Sequence, residues 1–169
     1  MKKEIDFDLA GKKIFICGHK GMVGQALMRR LESAPCEVLT AEKNELDLRH
    51  EDSVQKWFGL HNPDAVILAA AKVGGILAND TEPVQFLLDN LRIQNSVIDA
   101  AYNAGTEKFL FLGSSCIYPS TALQPMSEDC LMTGPLETTN QWYATTKIAG
   151  IKLCQAYRKQ HGSNFIAAM

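Results

Sequence analysis

The chain alternates between short, dense apolar runs and longer amphipathic stretches. The dense runs are 13–17, 36–40, 65–70, 108–112 and 164–168. Runs of this length without strict alternation predict parallel strands buried on both faces. Between them the spacing predicts helices over 22–33, 51–60, 83–103 and 140–161. Pro83 suits a first helical turn, and Gly105 and Gly162 stand where the two long helices would stop. Strand and helix therefore alternate. That order predicts an α/β fold, a doubly wound parallel sheet with helices on both faces and right-handed crossovers. A further short strand is expected from about Asp47-Leu48, which makes 108–112 the fifth strand and 164–168 the sixth. Residues 1–11 read as an N-terminal extension and 12–169 as a dinucleotide-binding domain. A domain rarely stops in mid-strand. The expectation is therefore the N-terminal part of a longer protein, cut before a substrate domain.

At 169 residues, 46% hydrophobic and 21% charged, the chain has the composition of one globular domain. A net charge of -2 with scattered basic residues argues against a nucleic-acid partner. The most apolar stretch, Ala65 to Ala71, is far short of a bilayer span, and acids interrupt the N-terminus where a signal peptide would be apolar. No membrane association is expected. Five widely spaced cysteines without a C-x-x-C pair argue against a disulfide framework or a zinc site. They suit a reducing, cytoplasmic setting, and no metal is expected from the four scattered histidines.

Gly18-His19-Lys20-Gly21-Met22-Val23-Gly24 follows the first strand and opens the first helix. Its G-x-x-G-x-x-G spacing supplies a tight turn, close backbone approach to a pyrophosphate, and close packing of helix on strand. The free N–H groups of the helix start would face the phosphates. After the second strand, an acid would bond a ribose 2′-hydroxyl and a base would accept a 2′-phosphate. Thr40-Ala41-Glu42-Lys43-Asn44 holds both types, and Lys20 adds charge nearby. The reading leans to NADP, with NAD as the alternative. The Asp47 carboxylate could meet the adenine amino group; a loop or capping acid is the equally open reading.

Tyr143 and Lys147 stand four apart on a predicted helix, on one face and one turn apart. An ammonium beside a phenol would lower its pKa and ready it for proton transfer at a carbonyl oxygen. They follow the strand ending in Gly113-Ser114-Ser115-Cys116, where such a sheet holds its ligand.

Together these residues resemble the extended short-chain dehydrogenase/reductase family, whose fold is a Rossmann-type sheet. Three stretches are similar to its GDP-L-fucose synthase branch: Ala69-Ala70-Ala71-Lys72-Val73-Gly74-Gly75-Ile76, Leu112-Gly113-Ser114-Ser115-Cys116-Ile117-Tyr118-Pro119 and Lys147-Ile148-Ala149-Gly150-Ile151-Lys152-Leu153-Cys154. The resemblance implies an enzyme that epimerises C3 and C5 of GDP-4-keto-6-deoxy-D-mannose and reduces the C4 ketone with NADPH. It implies Ser114 as the hydrogen-bond donor to the C4 oxygen, Tyr143 as proton donor and Lys147 as the partner that lowers the Tyr pKa and binds the nicotinamide ribose. Cys116 would handle a proton at C3 or C5, since a thiol of pKa about 8.5 can act as acid or base. Gly18, Gly21 and Gly24 would form the pyrophosphate loop, and Ala70, Ala71 and Lys72 would border the nicotinamide ribose. The full set expected at the cofactor is Gly18 to Gly24, Lys43, Asp47, Leu48, Ala70 to Lys72, Tyr143 and Lys147. The family's second acid/base, a His, matches none of the four histidines and is expected beyond Met169. The 169 residues alone are therefore expected to be inactive. The resemblance also implies a homodimer paired through the two long helices. The rival readings are another sugar-nucleotide enzyme, such as a GDP-colitose synthase, and a non-catalytic dinucleotide-binding module.

Overall fold

The computed structural model describes residues 7–169. Residues 1–6 of the expected N-terminal extension lie outside the described residues. Five parallel strands form one sheet: β1 (Lys13–Cys17), β2 (Glu37–Leu39), β3 (Ala65–Leu68), β4 (Lys108–Leu112) and β5 (Phe165–Ala168), in the order β2-β1-β3-β4-β5. The chain leaves β1 toward β2 on one side and returns to β3 on the other. The two flanking strands diverge at β1, which opens a crevice at the carboxyl ends of the strands.

The helices are α1 (Met22–Leu31), α2 (Glu51–His61), α3 (Ile76–Thr81), α4 (Pro83–Asn103) and α5 (Gln141–His161). The register sets Leu39, Phe15, Val66, Phe109 and Phe165 in one row across the sheet. Equivalent residues of parallel strands point to one face, and the helical aromatics land on that row. Trp57 of α2 stacks on Phe15 with ring centroids 4.1 Å apart, and Tyr157 of α5 lies 5.6 Å from Phe165. α4 packs between α2 and α5. α5 approaches β4 closely because position 150 has no side chain: a Cβ there would sit 2.3 Å from the Phe111 ring. The next row, Ile16, Ile67, Leu110 and Ile166, is fully buried only at Ile16.

Two helix ends follow from local chemistry. Asn62 closes α2 and Gly162 closes α5, each left-handed with φ of 46° and 70°. The expected strand at Asp47-Leu48 does not form. Its backbone bonds turn inward instead, Leu46 N–H to Glu42 O at 2.7 Å and His50 N–H to Asp47 O at 3.0 Å, so no ladder with β2 can build. Among the described residues the strands thus number five, and Lys108–Leu112 is the fourth. α3 and two short 3₁₀ turns, Ser115–Ile117 and Glu128–Cys130, fall in stretches without an apolar period and were not predicted.

Candidate active site and dinucleotide cavity

The glycine loop leaves β1 through Gly18, whose φ of 87° only glycine adopts easily. A Cβ there would lie 2.8 Å from Ala70 Cα and N, so the loop lies directly on the end of β3. Gly24 lets α1 close on the loop, since its Cβ would fall 2.1 Å from Gly18 O. α1 starts at an N-cap, Gly21, that makes no side-chain bond, and its first turn holds no acid. Its leading N–H groups and positive dipole end are therefore open to an anion. His19 Nδ1 is buried without a hydrogen-bond partner. An uncapped helix start, a glycine cradle and an orphaned ring nitrogen together fit a dinucleotide pyrophosphate.

A cavity of about 500 Å³ opens beside this loop. Its floor is Phe15 and Cys17 of β1. Its sides are residues 18–21, 41–43 and 46–49, the 70–72 segment, and Asp89 and Ile93 of α4. The volume suits a cofactor fragment. Glu42 lies between two basic side chains of the loop, 2.7 Å from Lys20 Nζ and 3.4 Å from His19 Nε2. These contacts, the Lys20 bond first, hold its carboxyl below the usual range. Asp47 is gripped by Arg49, whose Nε and Nη2 donate to its two oxygens at 3.0 and 2.6 Å. This drives the Asp47 pKa down to about 2. Arg49 Nη1 reaches on to Asp89 at 3.2 Å.

The second cluster lies at the end of β4. Cys116, on the 3₁₀ turn, donates from Sγ to Ser114 Oγ at 3.1 Å. Lys147 is buried and donates from Nζ to Leu112 O at 2.9 Å; its Nζ lies 5.6 Å from the Tyr143 ring centroid. Burial lowers the Lys147 pKa to about 8. Burial, aided by the nearby Cys116, raises Tyr143 to about 12. This corrects the expected sign. The ammonium donates to the Leu112 carbonyl, and burial of the phenol dominates its shift. Burial also raises Cys116, opposed by the Ser114 bond and the Lys147 charge. Glu137 supports this cluster and was not foreseen. Its carboxylate accepts from the N–H groups of Thr139 at 3.0 Å and Asn140 at 3.1 Å, just before α5 and Tyr143.

Of the residues expected at the cofactor, Gly18 to Gly21, Lys43, Asp47, Leu48 and Ala70 to Lys72 line the cavity. Met22, Val23 and Gly24 do not: the side chains of Met22 and Val23 face solvent, and Gly24 packs beneath Gly18. Only their backbone N–H groups point to a ligand role. Tyr143 and Lys147 also lie outside that cavity, in the second cluster with Ser114 and Cys116. Arg49 and Asp89 were missed because their pairing spans 40 residues. All five cysteines carry free thiols. Among the described residues no helix is long and apolar enough to cross a membrane, and no three metal-ligating side chains cluster.

Residues 14–169 match the model of the NAD dependent epimerase/dehydratase family. The chain belongs to that family. Within it, the chain is 59% identical to a GDP-L-fucose synthase of Sinorhizobium fredii strain NGR234, over 95% of this chain and 51% of that protein. It is 39% identical to a GDP-L-colitose synthase of Yersinia pseudotuberculosis, over 90% of this chain and 49% of that one. A solved GDP-mannoheptose C4 reductase from Campylobacter jejuni, with NADP bound, superposes with a TM-score of 0.90 at 36% identity, covering 93% of this chain and 50% of that one. The chain spans about half the length of the curated relatives it matches.

Proposed function

We propose that the whole protein is a GDP-4-keto-6-deoxy-D-mannose 3,5-epimerase-4-reductase, making GDP-L-fucose with NADPH. The observation that carries this reading is the Cys116–Ser114 contact of 3.1 Å on the β4 end, in the cluster that holds Tyr143 and Lys147. A simple ketone reductase needs the Tyr, Ser and Lys groups but no thiol beside them. The 59% identity to a GDP-L-fucose synthase, against 39% to a GDP-colitose synthase, favours this substrate over the nearest rival.

The cofactor would lie along the glycine loop, between Lys20, Lys43, Leu48 and the Ala70 to Lys72 segment. Bound NADPH supplies the hydride for C4. Before that step, Cys116 exchanges a proton at C3 or C5, where the adjacent ketone acidifies the C–H bonds. Removal by a base leaves an enolate, and return of a proton to the opposite face inverts the centre. Ser114 donates a hydrogen bond to the C4 oxygen and so stabilises the charge that develops there. Tyr143, a phenol protonated at neutral pH, gives its proton to that oxygen during reduction. Lys147 stays buried behind it, fixed to the Leu112 carbonyl, and would hold the nicotinamide ribose.

The protein is further proposed to be a cytoplasmic homodimer. The odd set of free thiols suits a reducing compartment. α4 and α5 lie side by side and leave Val84, Leu88 and Trp142 exposed, which supports pairing through these helices. A monomeric mass by light scattering at micromolar concentration would refute the dimer.

The activity test is incubation of the whole protein with GDP-4-keto-6-deoxy-D-mannose and NADPH in deuterated water. GDP-L-fucose labelled at C3 and C5 is expected. Reduction without label at either carbon would leave a plain 4-reductase and sink the epimerase half. No turnover of any 4-keto sugar nucleotide despite NADPH binding would favour the non-catalytic reading.

A further inference from the structure

Resting on the proposed role of Tyr143 at the C4 oxygen, we infer that Glu137 is a positioning residue for the reduction. Its carboxylate anchors the first turn of α5 and so holds the Tyr143 phenol where it can give up its proton.

Tyr143 is the third residue of α5. The first turn of a helix lacks backbone partners for its N–H groups and frays unless the chain before it is tied down. α5 supplies no such tie from its own end. Its N-cap, Asn140, makes no side-chain cap bond, and no acid stands in its first turn. The Asn140 Oδ1 is buried without a partner.

Glu137 ties the segment from outside the helix. Its Oε1 accepts from the Thr139 N–H at 3.0 Å. Its Oε2 accepts from the Thr139 hydroxyl at 2.6 Å and from the Asn140 N–H at 3.1 Å. The Asn140 carbonyl in turn accepts from the Ala144 N–H at 3.0 Å, the bond that opens α5. Carboxylate, N-cap and opening bond thus form one chain, and Tyr143 lies inside it. These contacts, the Thr139 hydroxyl first, hold the Glu137 carboxyl below the usual range, so the group is an anion at neutral pH. An anion just before a helix also meets the positive end of its dipole.

The anchor is local. The body of α5 packs on α4 and β5, with Ala144, Ile151 and Cys154 buried, and does not depend on Glu137. Ser114 and Cys116 are placed by another part of the chain, the end of β4 and the 3₁₀ turn after it. Loss of the anchor should therefore slow the step that uses Tyr143 and spare the step that uses Cys116. An acid with a merely structural role would affect both steps or neither.

The test uses the whole protein and separates the two steps. Enzyme and GDP-4-keto-6-deoxy-D-mannose are first equilibrated in deuterated water without NADPH, and uptake of label at C3 and C5 gives the exchange rate. NADPH is then added, and a single turnover gives the rate of reduction. In Glu137→Ala and Glu137→Gln, reduction should fall by roughly 10- to 100-fold, the scale of misplacing a reacting group by about 1 Å. Exchange and the dissociation constant of NADPH should stay within about threefold, as for sites that share no partner with Glu137. Glu137→Asp should recover most of the rate, because a shorter acid also accepts from N–H groups two and three residues on. Wild-type reduction in Glu137→Ala would overturn the inference, as would Glu137→Asp no faster than Glu137→Gln. An equal loss of exchange and reduction, or a variant too unstable to assay, would overturn it as well, since either shows Glu137 to hold the domain and not the first turn. If the wild type neither exchanges nor reduces, the proposed function itself fails and the inference falls with it. A wild type that does both, with Glu137→Ala unchanged, refutes the inference alone.

Discussion

The Cys116 thiol is hydrogen-bonded to the Ser114 hydroxyl at 3.1 Å, two residues away across the first bend after β4. A group proposed for the C3/C5 protons and one proposed for the C4 oxygen thus share a contact. The 3₁₀ turn over Ser115–Ile117 produces it by folding the chain back within one turn. Both residues can then address neighbouring carbons of one sugar ring.

Cys116→Ser keeps the size and hydrogen-bonding role of the side chain and removes the thiol. Deuterium incorporation at C3 and C5 should fall by roughly 10²- to 10⁴-fold, the usual scale of a lost acid/base group. Reduction at C4 and the thermal midpoint should change little. NMR of the recovered sugar nucleotide checks this, and undiminished labelling would remove Cys116 from the chemistry.

Lys147 sets an alkaline limit. Its pKa is lowered to about 8 in the folded protein, against 10.5 ordinarily. The folded form therefore sheds its proton first on raising pH, and stability gains between about 8 and 10.5 as the buried charge disappears. Activity runs the other way if the ammonium is needed: kcat/KM should decline through a limb near pH 8. Lys147→Arg, which does not titrate there, should be slower at pH 7 and lack the limb. An unshifted limb in that variant would assign it to another group.

Glu42 decides how much of the loop's positive charge is free for a 2′-phosphate. It now engages Lys20 and His19. Glu42→Gln should raise the preference for NADPH over NADH by about two- to fivefold, the scale of an exposed ion pair. Titration with each cofactor measures the ratio, and a shift toward NADH would show that Glu42 does not compete for Lys20.

Two helical glycines should respond oppositely to alanine. At Gly59 in α2, a Cβ meets nothing within 4 Å. Gly59→Ala should stabilise by about 0.5–1 kcal/mol through helix propensity. At Gly150 in α5 the same gain is outweighed, because a Cβ would fall 2.3 Å from the Phe111 ring. Overpacking costs about 1–3 kcal/mol or more, so Gly150→Ala should be net destabilising. Urea midpoints of the two variants decide the matter.

Much of this architecture was legible before folding. Parallel strands buried on both faces are dense in apolar residues, so the runs 13–17, 65–70 and 108–112 announced β1, β3 and β4. The glycine loop was readable because each glycine answers a local steric demand, and Tyr143 with Lys147 because helix geometry alone puts residues four apart on one face. Pro83 and Gly162 marked helix ends through their own backbone preferences.

Interactions that join distant residues were left to tertiary structure. The strand expected at Asp47-Leu48 was lost to local turns and to Ser96, whose Oγ donates to the Leu48 carbonyl from α4. No periodicity reveals a competitor 48 residues away. The Arg49–Asp89 bond is of the same kind, and it turns Arg49 from a loop residue into a fixed part of the cavity. The sequence placed Lys147 one turn from Tyr143 and so suggested a lowered phenol pKa. Packing instead gave the ammonium to the Leu112 carbonyl and buried the phenol, which reversed the sign. Residue types and spacing thus determined the strands, the loop and the reactive groups. Burial and long-range pairing, which depend on what the folded chain brings near, decided the charge and orientation of each.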